Sequence, residues 1–135
     1  MRKVRILLAD DHRQFLTMVE RLLASTCEVV GSVPDGQSLC DAARLLSPDV
    51  IVTDISMPIL NGIEASMQLN ESGCAAKIIF LTVHSDADFV QSCLATGAFG
   101  YVAKSRFAID LVPAIQEALA GRIFISPTFS YPPLT

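Results

Sequence analysis

The sequence contains no long apolar run, no cluster of basic residues and no closely spaced pair of cysteines. Its apolar residues make up 51% of the chain but fall in short runs, none near the roughly 18 residues that a membrane-spanning helix requires. The start, Met1-Arg2-Lys3, leads directly into a strand pattern, so we expect neither a signal peptide nor a membrane anchor. At 135 residues, the chain is predicted to form one domain with a substantial core.

Charge and cysteine usage exclude some partners and compartments. The net charge is −4, the isoelectric point is about 5.0, and the longest basic stretch is Arg2-Lys3, so this segment is not expected to bind nucleic acid directly. The cysteines are widely spaced, without a C-x-x-C pair, which is typical of reduced, mostly buried thiols in a cytoplasmic protein. They are Cys27, Cys40, Cys74 and Cys93.

Short apolar runs alternate with amphipathic helical patterns along the chain. Runs of β-branched and aliphatic residues between polar breaks predict buried parallel strands. The helical spacing between these runs predicts helices on both faces of an α/β sheet. Turn residues such as Pro34-Asp35-Gly36 and Asn61-Gly62 separate the elements. Five strands are predicted, at 4–9, 29–33, 50–53, 78–82 and 99–103.

The later part of the chain fits this pattern less well. The third helix, predicted from Gly62 to Asn70, has a weak apolar face. Pro113 lacks the N–H that a helix interior needs, so the fifth helix is predicted to begin near Asp110 or to be locally distorted. After Gly121 we recognise no helical or strand period. We therefore expect a globular domain at 1–121 and a linker or loose tail at 122–135.

Three aspartates stand where predicted strands end. Asp10 and Asp11 follow the first strand, and Asp54 follows the third. The carboxyl ends of parallel strands meet at one rim, where open α/β sheets bind ligands, so these carboxylates should lie together. The repulsion between like charges held close together is usually relieved by raised pKa values or by a bound cation. Oxygen ligands without a cluster of His or Cys indicate Mg²⁺, with Mn²⁺ as the alternative.

Two further polar residues are predicted at the same rim. Thr82 closes the fourth strand, and Lys104 follows the fifth. The set suits phosphoryl transfer: one carboxylate attacks, the metal and the lysine neutralise the phosphoryl oxygens, and the hydroxyl adds a hydrogen bond. Taken singly, an Asp after a strand is often a cap or turn residue, and the Thr or the Lys is often a plain strand end or a solvated charge. Their joint placement favours the functional interpretation.

Four segments carry these residues in recognisable motifs. They are LLADDH at 7–12, DVIVTDISMPILNGIEA at 49–65, FLT at 80–82 and GAFGYVAK at 97–104. In these motifs the chain resembles the response-regulator receiver domains of two-component signalling, over about residues 4–121. The resemblance implies a flavodoxin-like (βα)5 fold with a doubly wound, five-stranded parallel sheet in the order 2-1-3-4-5.

The resemblance also implies a role for each residue of the site. Asp54 would accept a phosphoryl group from the phosphohistidine of a sensor histidine kinase or a phosphotransfer protein. Asp11, Asp54 and the backbone carbonyl of Ser56 would bind Mg²⁺, and Asp10 would act on the metal mainly through a bound water. Lys104 would pair with the phosphoryl group.

The same resemblance implies how the signal leaves the site. Thr82 would move to hydrogen-bond the phosphoryl group while Tyr101 turns inward, altering the face formed by helix four, strand five and helix five. Ser56 and His84 would tune the lifetime of the acyl phosphate. Two plainer interpretations stay open: Tyr101 as a half-buried strand residue, and His84 as a surface residue capping the fourth helix. A homodimer that forms on phosphorylation is also expected.

The residue after the lysine indicates a branch of the family. Many receivers have Pro there, whereas Lys104 is followed by Ser105, which puts a cis peptide at this bond in doubt. In the pair Lys104-Ser105 and in the segment GRIFISP at 121–127, the chain resembles the NarL/FixJ-type transcriptional regulators. Those proteins continue into a helix-turn-helix domain, so we expect transcriptional control through an output domain absent from this chain.

Other functions are compatible with parts of the pattern. A receiver fold kept only for protein contacts, without phosphotransfer, is one alternative. A small aspartate-dependent phosphohydrolase would carry D-x-D at the first strand instead of the adjacent pair Asp10-Asp11. A flavin carrier would need Ser, Thr or Gly donors in the first loop, which reads Asp-Asp-His-Arg. We expect no enzymatic activity beyond self-catalysed phosphotransfer and autodephosphorylation.

Overall fold

The computed structural model describes residues 2–84 and 86–127. In this part of the chain, six parallel strands form one sheet in the order β2-β1-β3-β4-β5-β6. The strands are β1 (Val4–Ala9), β2 (Cys27–Val33), β3 (Val50–Thr53), β4 (Lys77–Thr82), β5 (Gly100–Ala103) and β6 (Phe124–Ile125). The helices are α1 (Arg13–Leu23), α2 (Gly36–Leu46), α3 (Gly62–Glu71), α4 (Ala87–Ala95) and α5 (Phe107–Leu119), with a 3₁₀ turn at Lys104–Arg106.

The predicted fold class and strand order, 2-1-3-4-5, are confirmed. Each of the five predicted strands is present. Helices α2, α3 and α4 cover one face of the sheet, and α1 and α5 cover the other. Neighbouring residues of β1 enter opposite layers, Leu7 in one and Leu8 in the other, because side chains alternate along a strand. None of the helices that the structure describes has the length and apolarity to cross a membrane.

The register of the central strands places their carboxyl ends side by side. Ala9 of β1 pairs with Thr53 of β3, and Thr82 of β4 pairs with Ala103 of β5. The residues that follow these pairs therefore emerge at one edge of the sheet. All four residues of β3 are buried, as expected for a strand covered by helices on both faces.

Helix α5 begins at Phe107, so the prediction of a start near Asp110 is wrong. Pro113 lies inside this helix, where its missing N–H leaves the carbonyl of Ile109 without a helical partner. Pro113 is exposed, and Ile109 is 64% exposed. Water can therefore reach this turn of the helix, which explains why the proline is tolerated.

The sheet contains a sixth strand that the sequence pattern did not predict. β6 pairs with β5 through Gly100 with Phe124 and Tyr101 with Ile125, and two residues are too few to show a period. The next residue, Ser126, is buried; its hydroxyl accepts the N–H of Ala103 at 3.0 Å. Part of the predicted linker, 122–127, thus packs on the sheet, whereas 128–135 lies outside the described residues.

A buried carboxylate joins this strand to α5. Asp110 accepts hydrogen bonds from Ser126 Oγ at 2.7 Å and from Arg106 Nε at 2.8 Å. The hydrogen bond from Arg106 holds the pKa of Asp110 below its ordinary value, against the opposing effect of burial and with further help from Ser126. The ionised form of Asp110 therefore stabilises the folded protein.

We expect Asp110→Asn to lower the free energy of unfolding at pH 7 by about 1 to 2 kcal/mol, because hydrogen bonds to a buried carboxylate are lost. The lowered pKa contributes stability above about pH 4, which disappears as the pH falls through the folded-state pKa. The difference between wild type and variant in urea denaturation should therefore shrink below pH 4. Asp41→Asn, at an exposed position of α2, is the control. A difference that stays constant with pH would contradict this assignment.

Candidate functional site

Carboxylates from two neighbouring strands meet at the carboxyl edge of the sheet. Asp10 follows β1 and Asp54 follows β3, and the main-chain N–H of Asp54 donates to the carbonyl of Ala9 at 2.9 Å. Asp10 is 3% exposed and Asp54 4% exposed, whereas Asp11 is exposed. One ligand atom from each of the three aspartates and from His12 lies within 4.8 Å of the others. The strand order thus brings the three aspartates together as predicted.

The ammonium group of Lys104 lies between two of these carboxylates. Its Nζ is 2.6 Å from Asp10 Oδ2 and 3.0 Å from Asp54 Oδ2, and its side chain is 10% exposed. Burial disfavours the charged amine, but the hydrogen bonds and charges of the two aspartates outweigh it, so the pKa of Lys104 is raised. The described cluster keeps a formal excess of negative charge, since Asp11 brings a third carboxylate.

The remaining oxygens of the buried aspartates are also held. Asp54 Oδ1 accepts the main-chain N–H of Ile55 at 2.7 Å. Asp10 Oδ1 accepts the main-chain N–H of His12 at 2.9 Å, and the ring nitrogen His12 Nδ1 lies 3.1 Å away. These contacts fix the orientation of both carboxylates before any ligand binds.

Two residues at this site were missed by sequence reasoning. The ring centre of Phe15, in α1, lies 4.8 Å from Lys104 Nζ, and Phe107 packs edge-on against Phe15 at 5.2 Å. Such a cation–π contact contributes about 0.5 to 2 kcal/mol. His12 was not included among the ligands, although it directly follows Asp11. Its place in the sequence was the available signal, but only the fold shows where its ring points.

A second group of polar residues, from β4, from β5 and from the segments that follow β3 and β4, is joined by hydrogen bonds. The main-chain N–H of His84 donates to Thr82 Oγ1 at 3.2 Å, and its carbonyl accepts the hydroxyl of Tyr101 at 2.9 Å. Ser56 Oγ lies 2.7 Å from His84 Nε2. His84 therefore contacts Thr82, Tyr101 and Ser56 at once.

Tyr101 and His84 differ from their plainer interpretations. Tyr101 is fully buried, and burial raises the pKa of its hydroxyl, with smaller effects from Cys93, Asp86 and other charges. The His84 ring stacks on Phe89 at 4.3 Å between centres. The side chain that caps α4 is Asp86, which accepts the main-chain N–H of Phe89 at 3.1 Å. The interpretation of His84 as the cap of the fourth helix is therefore wrong.

The donors of the carboxylate cluster fit a hard divalent cation. Carboxylate oxygens are ligands that Mg²⁺ and Mn²⁺ accept, and the excess negative charge favours a cation. A cleft of about 290 Å³ opens beside Asp10 and Asp11. A separate cavity of about 640 Å³ is lined by residues such as Asp49 and Lys77, at the amino ends of β3 and β4. It contains none of the three aspartates, so the site is not located there.

Comparison with known proteins shows the family. The family model described as the response regulator receiver domain matches residues 6–116. This chain belongs to the response regulator receiver domain family. The receiver domain of NarL from Mycobacterium tuberculosis superposes with a TM-score of 0.86 at 27% identity, covering 90% of this chain and 100% of that one. A LuxR-family response regulator from Aurantimonas superposes with a TM-score of 0.88 at 35% identity, covering 93% of this chain and 91% of that one.

The relatives of this receiver domain include longer transcriptional regulators. It is 35% identical over 131 residues to the transcriptional regulatory protein DegU of Brevibacillus brevis, covering 96% of this chain and 56% of that protein. It is 35% identical over 123 residues to the nitrate/nitrite response regulator NarL of Escherichia coli, covering 90% of this chain and 57% of that protein. The predicted similarity to NarL/FixJ-type regulators is confirmed, and the chain spans little more than half of their length.

We expect Lys104→Met to destabilise the receiver domain by about 3 kcal/mol, because two nearly buried carboxylates lose their shared ammonium. Urea denaturation at pH 7 measures the effect. Lys77→Met is a matched control, since the ammonium of Lys77 lies over the ring of Phe99 at 4.3 Å and should contribute less than about 1 kcal/mol. Equal losses in the two variants would show that Lys104 does not stabilise the aspartates.

Proposed function

We propose that this receiver domain is a phosphorylation-dependent switch in which Asp54 accepts a phosphoryl group from the phosphohistidine of a sensor histidine kinase or phosphotransfer protein. An oxygen of Asp54 forms the new bond to phosphorus while the bond from phosphorus to the histidine nitrogen breaks, which leaves an acyl phosphate. The observation that carries this proposal is the position of Lys104 Nζ, 3.0 Å from Asp54 Oδ2 inside the carboxylate cluster.

The contacts of the three aspartates favour Asp54 as the acceptor. Asp10 binds Lys104 at 2.6 Å through one oxygen and His12 through the other. The longer contact, 3.0 Å, joins Lys104 to Asp54, so the ammonium can stay on Asp10 while it turns to the phosphoryl oxygens. Asp11 is exposed and lacks the closed surroundings that would shield an acyl phosphate from water.

The same residues would hold the cation that this chemistry requires. Asp11, Asp54 and the main-chain carbonyl of Ser56 are the proposed ligands of Mg²⁺, with Mn²⁺ as the alternative, and Asp10 acts mainly through a bound water. When bound, the cation supplies positive charge that neutralises the phosphoryl oxygens. Lys104 adds one positive charge through its contacts with both Asp10 and Asp54.

Thr82, His84 and Tyr101 provide a route from the site to the surface. The hydroxyl of Thr82 accepts the N–H of His84, so its own proton can be donated to a phosphoryl oxygen. A shift of Thr82 toward that oxygen acts on His84, whose carbonyl holds the hydroxyl of Tyr101. In this proposal, Tyr101 transmits the change to the face formed by α4, β5 and α5.

The output and partners follow from the relatives. DegU and NarL are transcription regulators, and this chain spans 56% and 57% of their lengths. We therefore assign the switch to a cytoplasmic regulator. It would act through an output domain that follows the receiver, 1–121, and the segment 122–135. A phosphorylation-dependent homodimer is part of this proposal. With a net charge of −4, the receiver itself is not assigned a role in binding nucleic acid. The three aspartates, Thr82 and Lys104 are all present, which favours phosphotransfer over two alternatives: a protein-interaction module that does not transfer phosphate, and a phosphohydrolase.

Incubation with acetyl phosphate and Mg²⁺ should add one phosphoryl group to the wild-type chain, as measured by intact mass. Asp54→Asn should abolish the gain, because the amide is a poor nucleophile. Asp41→Asn should be modified like wild type. Sedimentation of the same samples tests whether the modified form dimerises.

Two results of this experiment would contradict the proposal that Asp54 accepts the phosphoryl group. Modification that persists in Asp54→Asn would assign the phosphoryl group to another residue. An unmodified wild type, under conditions in which another receiver domain reacts, would remove the support for phosphotransfer.

The hydrogen bond between Ser56 and His84 should slow hydrolysis of the acyl phosphate. It joins the segments that follow β3 and β4 at 2.7 Å, and this bridge restricts the approach of water to Asp54. We expect Ser56→Ala to shorten the lifetime of the phosphorylated form several-fold, measured by loss of the added mass after removal of acetyl phosphate. Ser38→Ala, in α2, serves as the control. An unchanged lifetime in Ser56→Ala would rule out this role of the bridge.

A further inference from the structure

The ring of His12 lies in the carboxylate cluster, although His12 is not among the oxygen ligands proposed above. His12 Nδ1 lies 3.1 Å from Asp10 Oδ1 and 3.2 Å from Asp11 Oδ1. The same ring also offers a ligand atom within 4.8 Å of Asp54. A single imidazole nitrogen therefore faces two carboxylates that come from the same turn.

These distances match the spacing of ligands around one small cation. In an octahedral complex with bonds of roughly 2.1 Å, adjacent ligand atoms are roughly 3 Å apart and opposite ones roughly 4.2 Å apart. The contacts of His12 Nδ1 with Asp10 and Asp11 have the adjacent spacing. His12 Nδ1 and Asp11 Oδ1, 3.2 Å apart, can therefore occupy adjacent positions around one cation, while Asp10 acts through a bound water.

A metal ion can bind Nδ1 only when this nitrogen carries no proton. Next to two carboxylates, Nδ1 is expected to carry the proton of the imidazole and donate it. The neutral ring can instead carry its proton on Nε2, which leaves the lone pair of Nδ1 for a metal ion. The side chain of His12 is 70% exposed, so water can exchange this proton.

We propose that His12 Nδ1 is a ligand of the cation at this site, and that the site therefore prefers divalent first-row transition-metal ions to Mg²⁺. This inference rests on the proposed function, in which Asp11 and Asp54 hold a cation. Imidazole is a good ligand for transition-metal ions, whereas Mg²⁺ is held mainly by oxygen. The contribution of His12 should increase from Mg²⁺ through Mn²⁺ to Co²⁺, following the general order of affinities.

Calorimetric titration of the metal-free protein with Mg²⁺, Mn²⁺ and Co²⁺ tests the preference. We expect His12→Ala to weaken Co²⁺ binding by on the order of tenfold, to weaken Mn²⁺ binding less and to leave Mg²⁺ binding within about twofold. His12 makes no side-chain cap hydrogen bond to α1, so the substitution should leave the helix in place. Gln14→Ala, at an exposed position in the first turn of the same helix, provides the control and should preserve the ratios between the three metals.

Pulsed electron paramagnetic resonance of the Mn²⁺ complex tests direct ligation independently of activity. Wild type and Gln14→Ala should show the hyperfine coupling of a directly bound imidazole nitrogen, and His12→Ala should lack it. A wild-type complex without this coupling, or equal losses for all three metals in His12→Ala, would overturn the inference. If Asp54 is still phosphorylated with acetyl phosphate and Mg²⁺, the proposed function stands and only the role of His12 fails. If wild type neither binds a metal nor becomes modified, both fail.

Discussion

The ammonium group of Lys104 holds the site together by contacting the carboxylates that follow two different strands. Asp10 and Asp54 are nearly buried, and like charges so close together would repel each other strongly if they were left alone. Lys104 offsets this repulsion from a position beneath the ring of Phe15, where little water competes for its hydrogen bonds. The contact also links the ends of β1, β3 and β5. The charge of one side chain thus holds the carboxylates that follow β1 and β3 in place.

This arrangement compensates only part of the charge and leaves the rim with an excess of negative charge. A well-packed apolar cluster of similar volume would often be at least as stable as a buried group of charges. The structure instead keeps three carboxylates against one ammonium, so the rim attracts further positive charge and remains sensitive to what binds there. The chain of hydrogen bonds through Thr82 and His84 to Tyr101 lies on the neighbouring strands. In the proposed function, the change of charge at Asp54 is passed to the buried side chains of Thr82 and Tyr101.

Much of this architecture follows from local patterns in the sequence. The apolar runs predict the five longer strands because a strand buried on both faces needs apolar side chains at nearly every position. Polar residues that end such runs must emerge at the edge of the sheet, which is why Asp10, Asp54, Thr82 and Lys104 were identified as one group. The motifs around them then indicated the strand order. The start of α5 was misjudged, because Pro113 excludes a helix interior only where the carbonyl that it leaves unpaired cannot reach water.

The sequence by itself determined which residues end the buried strands, and hence the three aspartates and the lysine of the site, because periodicity and strand direction are local properties. Only the tertiary structure decided which other side chains reach these residues. Phe15 covers Lys104, His12 turns its ring toward Asp10, and Ser126 ties a sixth strand to the sheet. Each of these contacts depends on the orientation of a side chain or the register of distant segments. Such contacts have no repeating signature along the chain, because they are set by how the packed elements meet.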